Sequence, residues 1–305
     1  MKRFLDRIRP KRTIDANSAV LLPFTSDGKP DYEEFERHLL LTSKCGIVPA
    51  VNMDTGFGPQ LSPAERIEVL KRSRKALGTS PFIAGAGPFG ESYDAAMKAI
   101  LDQGAIPIIF QSEAFASGDV VALYRKIVAP APKALAFELG TMFAPFGRIY
   151  DLETYKRMMA IPNLVGAKHS SLSRTDELAR LELRDRERPD FKVYTGNDLA
   201  IDMVMYGSDY LLGISTFDPE AFALRDRWWA GGDARFFELN DALQALGSVT
   251  FREPVPAYKD SAAVYLKLTG RMKDPRPHPA CPRRPSWERE ILEPLARKIK
   301  EACSK

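Results

Sequence analysis

The feature that most constrains the fold is an alternation of short apolar runs with longer segments of helical periodicity, repeated eight times. The predicted strands cover residues 17–24, 46–53, 81–85, 105–111, 133–139, 164–170, 192–197 and 210–216. The predicted helices between them cover residues 31–44, 62–77, 92–103, 119–128, 151–160, 174–183, 198–206 and 218–229. Eight strand–helix units in about 210 residues predict an α/β fold, a (β/α)8 TIM barrel.

The strand pattern stops after residue 229, and helical periodicity continues near residues 233–246, 256–268 and 286–303. A proline-rich stretch at 273–285 separates the last two segments and suits either a linker or a rigid strap over a packed surface. We therefore expect a basic N-terminal arm at 1–16, a barrel at 17–229 and a C-terminal helical extension at 230–305.

Charge and composition exclude several functional classes. The formal charge of +4 lies in the N-terminal arm, whose basic residues are Lys2, Arg3, Arg7, Arg9, Lys11 and Arg12. The rest of the chain is balanced, which argues against nucleic-acid binding. The N-terminus lacks the apolar core of a secretion signal and no apolar run is long enough to span a membrane, so we expect a cytoplasmic protein. The three cysteines and three histidines have no metal-binding spacing, and we expect no metal and no disulfide.

In a TIM barrel the chemistry lies at the C-terminal ends of the strands, so polar and glycine residues there are the candidates. They are Thr25, Asp54, Thr55, Gly56, Gly85, Gly87, Gln111, Glu138, Lys168, Asn197, Asp198, Ser215 and Thr216. Lys168 stands out because it falls near the end of an apolar strand. Burial would lower its pKa and leave some free amine, which can attack a carbonyl to form a Schiff base. On the residues alone, a structural ion pair with a carboxylate such as Glu138 is an equal alternative.

Short motifs in a characteristic order carry a resemblance to a known family. They are Leu22-Pro23-Phe24, Thr55-Gly56, Leu61–Arg66, Gly166–Ser171, Gly196-Asn197-Asp198 and Gly213-Ile214-Ser215. Together they resemble the dihydrodipicolinate synthase/N-acetylneuraminate lyase family of class I Schiff-base aldolases. The resemblance implies a barrel with a C-terminal helical part, commonly a homotetramer, and Lys168 as the imine-forming residue. We expect no cofactor.

The chain departs from the family at the fifth strand. Phe137 stands where the family has a tyrosine that relays protons, and a phenyl ring cannot transfer a proton. Glu138 is the nearest candidate to replace it as general acid or base. Strand alternation places Phe137 and Glu138 on opposite faces unless the strand end bulges.

A second departure is Asp54, which takes the position of a small hydroxyl residue in the loop that holds a 2-oxo acid carboxylate in the family. Two carboxylates 4 Å apart would repel by about 4 kcal/mol at an effective dielectric near 20. If Asp54 points into the site, the substrate is neutral or basic there; if it points away, Thr55 and backbone N–H groups can still hold a 2-oxo acid. In addition, Gln111-Ser112-Glu113 stands in place of the family's segment after the fourth strand. The family's arginine after the fifth strand is missing, and Arg148 is only a distant substitute for it.

The leading hypothesis is a Schiff-base lyase, cleaving or dehydrating a small carbonyl substrate such as a 2-oxo acid or sugar-acid derivative, without true dihydrodipicolinate synthase activity. We expect Lys168 and Glu138 to be catalytic. The expected substrate-binding residues are Asp54, Thr55, Gly56, Phe137, Gly196, Asn197, Ile214 and Ser215. A non-catalytic binding or regulatory protein on the same barrel is the second hypothesis. The third is an NAD(P)-dependent oxidoreductase, suggested by the glycine pattern at 85–90. We also expect a homo-oligomer, a tetramer or dimer.

Overall fold

A computed structural model describes residues 4–304, so Lys2 and Arg3 of the predicted basic arm lie outside the described residues. Eight parallel strands close into a barrel in chain order, with β1 paired to both β2 and β8. The strands are β1 (Ala16–Ala19), β2 (Val48–Val51), β3 (Ile83–Ala86), β4 (Ile106–Ile109), β5 (Ala134–Leu139), β6 (Leu164–Ser170), β7 (Lys192–Thr195) and β8 (Asp209–Leu212). The predicted (β/α)8 barrel is confirmed.

The α-helices surround the barrel and continue beyond it. Those before the end of the barrel are α1 (Tyr32–Lys44), α2 (Pro63–Leu77), α3 (Tyr93–Asp102), α4 (Glu113–Ala116), α5 (Val120–Val128), α6 (Leu152–Met159), α7 (Arg174–Glu187) and α8 (Pro219–Gly231). The last three are α9 (Arg235–Thr250), α10 (Tyr258–Leu268) and α11 (Glu288–Ser304). Seven of the helices begin where a Ser or Asp side chain accepts a backbone N–H bond, which supports the sequence-based starts.

Several predicted strands end earlier in the structure, and the strand expected at 17–24 ends at Ala19. Two further differences follow β7 and β8. The helix expected at 198–206 is a 3-10 helix over Ile201–Tyr206, because the Asn197 side chain first closes a turn on the Leu199 N–H group. The strand expected at 210–216 ends at Leu212, and Ile214–Thr216 form a 3-10 turn. There the Ile214 N–H group donates to the Asp198 carboxylate at 2.7 Å. Both deviations lie at the C-terminal end of the barrel.

The barrel lumen is lined by small and apolar side chains. They are Ala19, Ala50, Met53, Ile83, Ile108, Phe110, Leu135, Phe137, Tyr194 and Leu211. The opposite faces of the strands pack against the helices in the main core. Because neighbouring residues of a strand face opposite ways, this division decides which polar residues reach the lumen.

The C-terminal segment packs on the barrel's outer helices and then crosses back over its C-terminal end. Phe24, just after β1, exchanges two backbone hydrogen bonds with Arg276 of the proline-rich stretch. The ring of His278 lies 5.0 Å from that of Phe24. Residues 273–285 therefore form a strap over the barrel. The boundary expected between residues 229 and 230 stays a prediction; α8 ends at Gly231.

The described part of the N-terminal arm packs near the opposite end of the barrel. The Arg9 N–H group donates to the Met205 carbonyl at 2.7 Å, and the Arg12 guanidinium pairs with Asp209 at 2.9 Å. Between residues 4 and 304, none of the helices combines the length and apolar character needed to cross a membrane.

Candidate active site

Lys168 projects from β6 into the C-terminal end of the barrel lumen. It pairs in register with Phe137 of β5, and only 9% of the residue is exposed. Its Nζ atom lies 4.6 Å from the centre of the Phe137 ring. A Cβ atom on Gly196 would lie 2.6 Å from the Lys168 Cε atom, so glycine is the residue that leaves room for this side chain.

The surroundings of Lys168 shift its titration toward the neutral amine. Burial lowers the pKa of Lys168, and the nearby carboxylates of Asp198 and Asp54 only partly oppose this effect. Glu138, the ion-pair partner considered from the sequence, pairs in register with His169 and so lies on the other face of the sheet. Lys168 therefore has the environment of a nucleophilic amine.

Aromatic rings form an apolar wall beside the amine. Phe110 packs edge-on against Phe137 at 5.1 Å and against Phe89 at 5.3 Å. A Cβ atom on Gly85 would lie 2.8 Å from the Phe110 ring, and one on Gly87 would lie 2.6 Å from the Phe89 ring. Gly85 and Gly87 thus make room for rings inside a barrel, whereas Gly90 has a positive φ and open space around it. This arrangement removes the structural basis of the dinucleotide-binding hypothesis.

Asp198 supplies a carboxyl group near Lys168. It is partly buried in the turn after β7, and its Oδ1 atom accepts the Ile214 N–H bond. Burial raises the pKa of Asp198 to about 6, although the Ile214 bond and the nearby Lys168 both lower it. A carboxyl group that titrates near 6 can both accept and return a proton close to neutral pH.

The loop after β2 joins this site to helix α10. The Thr55 and Tyr258 hydroxyl groups lie 2.8 Å apart, and the Tyr258 hydroxyl donates to the Asp54 Oδ2 atom at 3.1 Å. The Lys259 ammonium contacts both Asp54 carboxylate oxygens, at 3.0 and 3.1 Å. Gly56 fits tightly, because a Cβ atom there would lie 3.1 Å from the Val20 carbonyl oxygen.

The Asp54 carboxylate thus has its own cation. Its side chain is 53% exposed at the rim, whereas the side chain of Lys259 is only 4% exposed. An ion pair presents far less repulsion to an incoming carboxylate than the isolated charge considered from the sequence. The site is therefore electrostatically compatible with a 2-oxo acid.

The geometry does not suit the catalytic role expected for Glu138. The residue is fully buried outside the lumen and accepts two bonds of 2.6 Å from the Arg180 guanidinium. It also contacts the His169 ring at 2.9 Å and accepts the Tyr150 N–H bond at 3.0 Å. Burial alone would raise its pKa, but His169 and Arg180 lower the pKa of Glu138 below its usual value. The strand keeps its alternation here, so this carboxylate stabilises the outer layer.

The other expected substrate-binding residues differ in what they offer. The Ser215 hydroxyl donates to Ser18 at 2.8 Å and contacts the Leu212 carbonyl at 2.9 Å. Because the adjacent Ala19 faces the lumen, Ser18 and the Ser215 hydroxyl lie on the outer side. Asn197 uses its amide oxygen in the turn, and Ile214 contributes its backbone N–H group to Asp198. The structure therefore gives Ser215 a packing role in place of the expected contact with substrate.

Three residues near Lys168 are missing from the sequence-based site. Ser170 lies two residues after Lys168 on the same face of β6, and its Oγ atom also lies against Gly196. Strand alternation alone could have identified it. Tyr258 and Lys259 come from a helix about 200 residues away in sequence, and no spacing pattern connects them to the loop after β2.

Comparison with known proteins shows which proteins this chain is similar to. No protein-family model matches the chain. The chain is 27% identical over 272 residues to 4-hydroxy-tetrahydrodipicolinate synthase of Parasynechococcus marenigrum strain WH8102, covering 85% of this chain and 87% of the relative. It is also 27% identical over 291 residues to the enzyme of that name from Synechococcus sp. strain CC9605, covering 92% and 93% of the two chains. The chain is a divergent member of the dihydrodipicolinate synthase/N-acetylneuraminate lyase family.

Solved structures of the family share the fold. A monomeric dihydrodipicolinate synthase variant superposes with a TM-score of 0.81 at 20% identity, covering 94% of this chain and 97% of the other. Dihydrodipicolinate synthase from Thermotoga maritima gives a TM-score of 0.76 at 20% identity, covering 95% and 98%. Family membership places the chain among lyases of the Schiff-base, class I aldolase kind.

Proposed function

We propose that the protein forms an imine between Lys168 and the carbonyl carbon of a small 2-oxo acid or sugar-acid derivative, and then cleaves or dehydrates it. The observation that carries the proposal is the Lys168 amine, which is buried against Phe137 while burial lowers its pKa. A neutral amine can attack a carbonyl, whereas an ammonium group cannot.

The first half of the reaction makes the electron sink. The Lys168 nitrogen attacks the carbonyl carbon to give a carbinolamine, which loses water to form the protonated imine. The apolar wall of Phe89, Phe110 and Phe137 keeps bulk water from the amine. Phe137 thus supports the amine's reactivity through packing, with no part in proton transfer.

The second half breaks the bond. In retro-aldol cleavage Asp198 takes the proton of the substrate hydroxyl, the carbon–carbon bond breaks, and its electron pair moves into the imine to give an enamine. In dehydration the carbon next to the imine first loses a proton to give the enamine. The electron pair of the enamine then forms a carbon–carbon double bond as the hydroxyl group leaves with the proton of Asp198. A pKa of about 6 allows Asp198 to serve in either direction near neutral pH. After cleavage the enamine carbon takes up a proton, which restores the protonated imine. In either reaction water then hydrolyses the protonated imine and frees Lys168.

The residues at the positions where the family contacts its substrate argue against dihydrodipicolinate synthase activity itself. Phe137 replaces the relay tyrosine, and Asp54 with Lys259 replaces a hydroxyl at the rim. Gln111 is engaged elsewhere, since its side chain binds the backbone of Arg148 and the Tyr150 hydroxyl. We propose that the Thr55 backbone N–H group contacts the substrate carboxylate and that Gly196 and Ser170 border the carbon bound to Lys168.

The test is to incubate the protein with pyruvate, other 2-oxo acids, sugar acids and neutral hydroxycarbonyl compounds, and to reduce with borohydride. Mass spectrometry of the intact protein and of its peptides then locates any adduct, with Lys168→Ala as control. An adduct on Lys168 that is absent from the variant is the expected result. An adduct elsewhere, or none with any compound, would overturn the proposal, while an adduct without turnover of any compound would favour the ligand-binding alternative.

We also propose a homo-oligomer, dimer or tetramer, in the cytoplasm. The support is family membership alone, and one relative of this fold is described as a monomeric variant. Sedimentation equilibrium over a range of protein concentrations tests the oligomeric state, and a single monomeric species would contradict it.

A further inference from the structure

A chain of hydrogen bonds links the floor of the barrel mouth to solvent. It begins at the buried Thr55 hydroxyl, passes through the Tyr258 hydroxyl at 2.8 Å, and ends on the Asp54 carboxylate at 3.1 Å. Thr55 and Tyr258 are nearly inaccessible, whereas half of the Asp54 side chain is exposed. The three groups therefore connect a dry interior to water through side chains of one molecule.

The direction of these bonds follows from their chemistry. A tyrosine has one hydroxyl proton, and a carboxylate is a stronger acceptor than a threonine hydroxyl. Tyr258 therefore donates to Asp54 and accepts from Thr55. The Thr55 oxygen is an acceptor as well as a donor, so a proton that arrives there can displace the next one along each bond.

The hydrogen-bonded series of Thr55, Tyr258 and Asp54 lies beside the Lys168 amine. Gly213 separates Thr55 from the turn of Asp198: a Cβ atom on Gly213 would lie 3.3 Å from the Thr55 hydroxyl, and the next residue, Ile214, binds the Asp198 carboxylate. Asp198 and Asp54 both act electrostatically on Lys168. Thr55 therefore adjoins the turn that carries Asp198, and the Asp54 carboxylate is close enough to Lys168 to affect its pKa.

Other tyrosines around the barrel direct their hydroxyl groups elsewhere. The Tyr194 hydroxyl donates to Asp15 near the opposite end of the lumen. The Tyr124 hydroxyl contacts the Phe137 backbone from the outer layer, and the Tyr210 hydroxyl donates to Asp226 there. Tyr258 is held in place by its ring, which stacks on Phe251 at 4.3 Å.

We propose that Thr55, Tyr258 and Asp54 form a proton relay between the substrate carbon next to the imine and solvent. When the enamine forms, a carbon–hydrogen bond breaks and its electron pair moves into the imine. The proton enters at the Thr55 oxygen, Thr55 passes its own proton to Tyr258, and Tyr258 passes its own to Asp54. The resulting carboxylic acid releases its proton to water, and the same steps reversed protonate the enamine.

Lys259 has a positioning role in this relay. Its ammonium group holds both oxygens of Asp54 and is itself buried over the Phe57 ring at 5.0 Å. This contact fixes the Asp54 carboxylate within reach of Tyr258 while one side remains open to solvent. The helical C-terminal segment therefore contributes function as well as stability.

The proposal rests on imine formation at Lys168, and the test separates the two. With pyruvate as probe in D2O, borohydride trapping reports the imine, while replacement of the methyl protons by deuterium, followed by NMR, reports proton transfer at carbon. Tyr258→Phe keeps the stacked ring, and we expect trapping within about threefold of wild type but exchange slower by about 10² to 10⁴. Tyr265→Phe is the matched control on the same helix. The Tyr265 hydroxyl lies away from the barrel mouth and contacts the Asp218 carboxylate at a distance of 3.4 Å, so we expect this variant to trap and exchange as wild type does.

A second variant tests whether the groups act as a unit. Asp54→Asn should slow exchange to a similar extent, and the double variant Tyr258→Phe/Asp54→Asn should be no slower than the slower single variant. Wild-type exchange in Tyr258→Phe would overturn the relay and leave the imine intact. Equal losses of trapping and exchange would show a role in forming the site, which also overturns the relay. Failure of wild-type protein to trap pyruvate on Lys168 would overturn the relay through the function on which it rests.

Discussion

The two faces of strands β5 and β6 carry opposite chemistry on adjacent residues. On the lumen side, Lys168 lies against Phe137, and burial lowers the lysine pKa. On the outer side, Glu138 and His169 contact each other, and Arg180 binds the Glu138 carboxylate through two 2.6 Å bonds. The same strand pairing therefore supports a reactive amine on one face and a satisfied ion network on the other.

The difference lies in how the burial of charge is compensated. The outer network surrounds the Glu138 carboxylate with donors, so its ionised form is stable and chemically inert. The lumen surrounds Lys168 with an aromatic ring, a glycine and two carboxylates at a distance, so much of its desolvation cost remains. Incomplete compensation keeps the amine available for reaction.

The largest expected effect comes from removing the amine. Lys168→Ala should abolish borohydride trapping and lower turnover by more than about 10⁴-fold, because no other nucleophile replaces the imine. Mass spectrometry and an assay of the best panel compound check this. Lys192→Ala, at a half-exposed lysine of neighbouring β7, is the control and should trap as wild type does. Residual trapping in Lys168→Ala would contradict the assignment.

The next effect concerns the proton carried by Asp198. Activity that needs the ionised carboxylate should rise with pH through about 6 and then level off. Asp198→Asn should remove this rise and lower turnover by about 10² to 10⁴. Asp202→Asn, a nearby surface change, should keep the wild-type pH profile. An unchanged inflection in Asp198→Asn would show that another group titrates.

The same variant makes a prediction about stability. Burial raises the folded-state pKa of Asp198 from 3.8 to about 6, so the folded state binds this proton more tightly than the unfolded state. Ionisation therefore costs stability above that range, and Asp198→Asn should raise the free energy of unfolding at pH 8 by about 1–3 kcal/mol. Urea unfolding at pH 8 and pH 4 should show the gain only at the higher pH.

A change on the outer face of the strands should lower the stability of the protein and leave imine formation at Lys168 unchanged. Glu138→Gln leaves the buried Arg180 without its counterion, and the free energy of unfolding at pH 7 should fall by about 3–5 kcal/mol. Because the folded-state pKa of Glu138 is lowered, this difference should narrow as the pH falls below 4.5. Trapping per folded molecule should stay at the wild-type level. A stable Glu138→Gln protein that traps but does not turn over would restore the catalytic role expected from the sequence.

The smallest expected effect is at Ser215. Its hydroxyl binds Ser18 and the Leu212 carbonyl in the outer layer, so Ser215→Ala should cost about 1 kcal/mol of stability. The KM of the best panel compound should not change. A several-fold rise in KM with unchanged stability would show that Ser215 contacts substrate, and would weaken the division between the two faces.

The sequence determined the barrel and the position of Lys168. Eight alternations of strand and helix signals admit few folds, and an amine near the end of an apolar strand must lie at the C-terminal end of the barrel. Period-two alternation also set Phe137 and Glu138 on opposite faces. These features are local, because each depends on residues within one element.

Only the tertiary structure decided which partners surround these residues. Arg180 of α7 binds Glu138, and Tyr258 and Lys259 of α10 reach the Asp54 loop across about 200 residues of sequence. Such contacts depend on the packing of distant helices, which leaves no period or spacing in the chain. The sequence therefore specified the nucleophile, while folding specified the charges, hydroxyl groups and rings that set its reactivity.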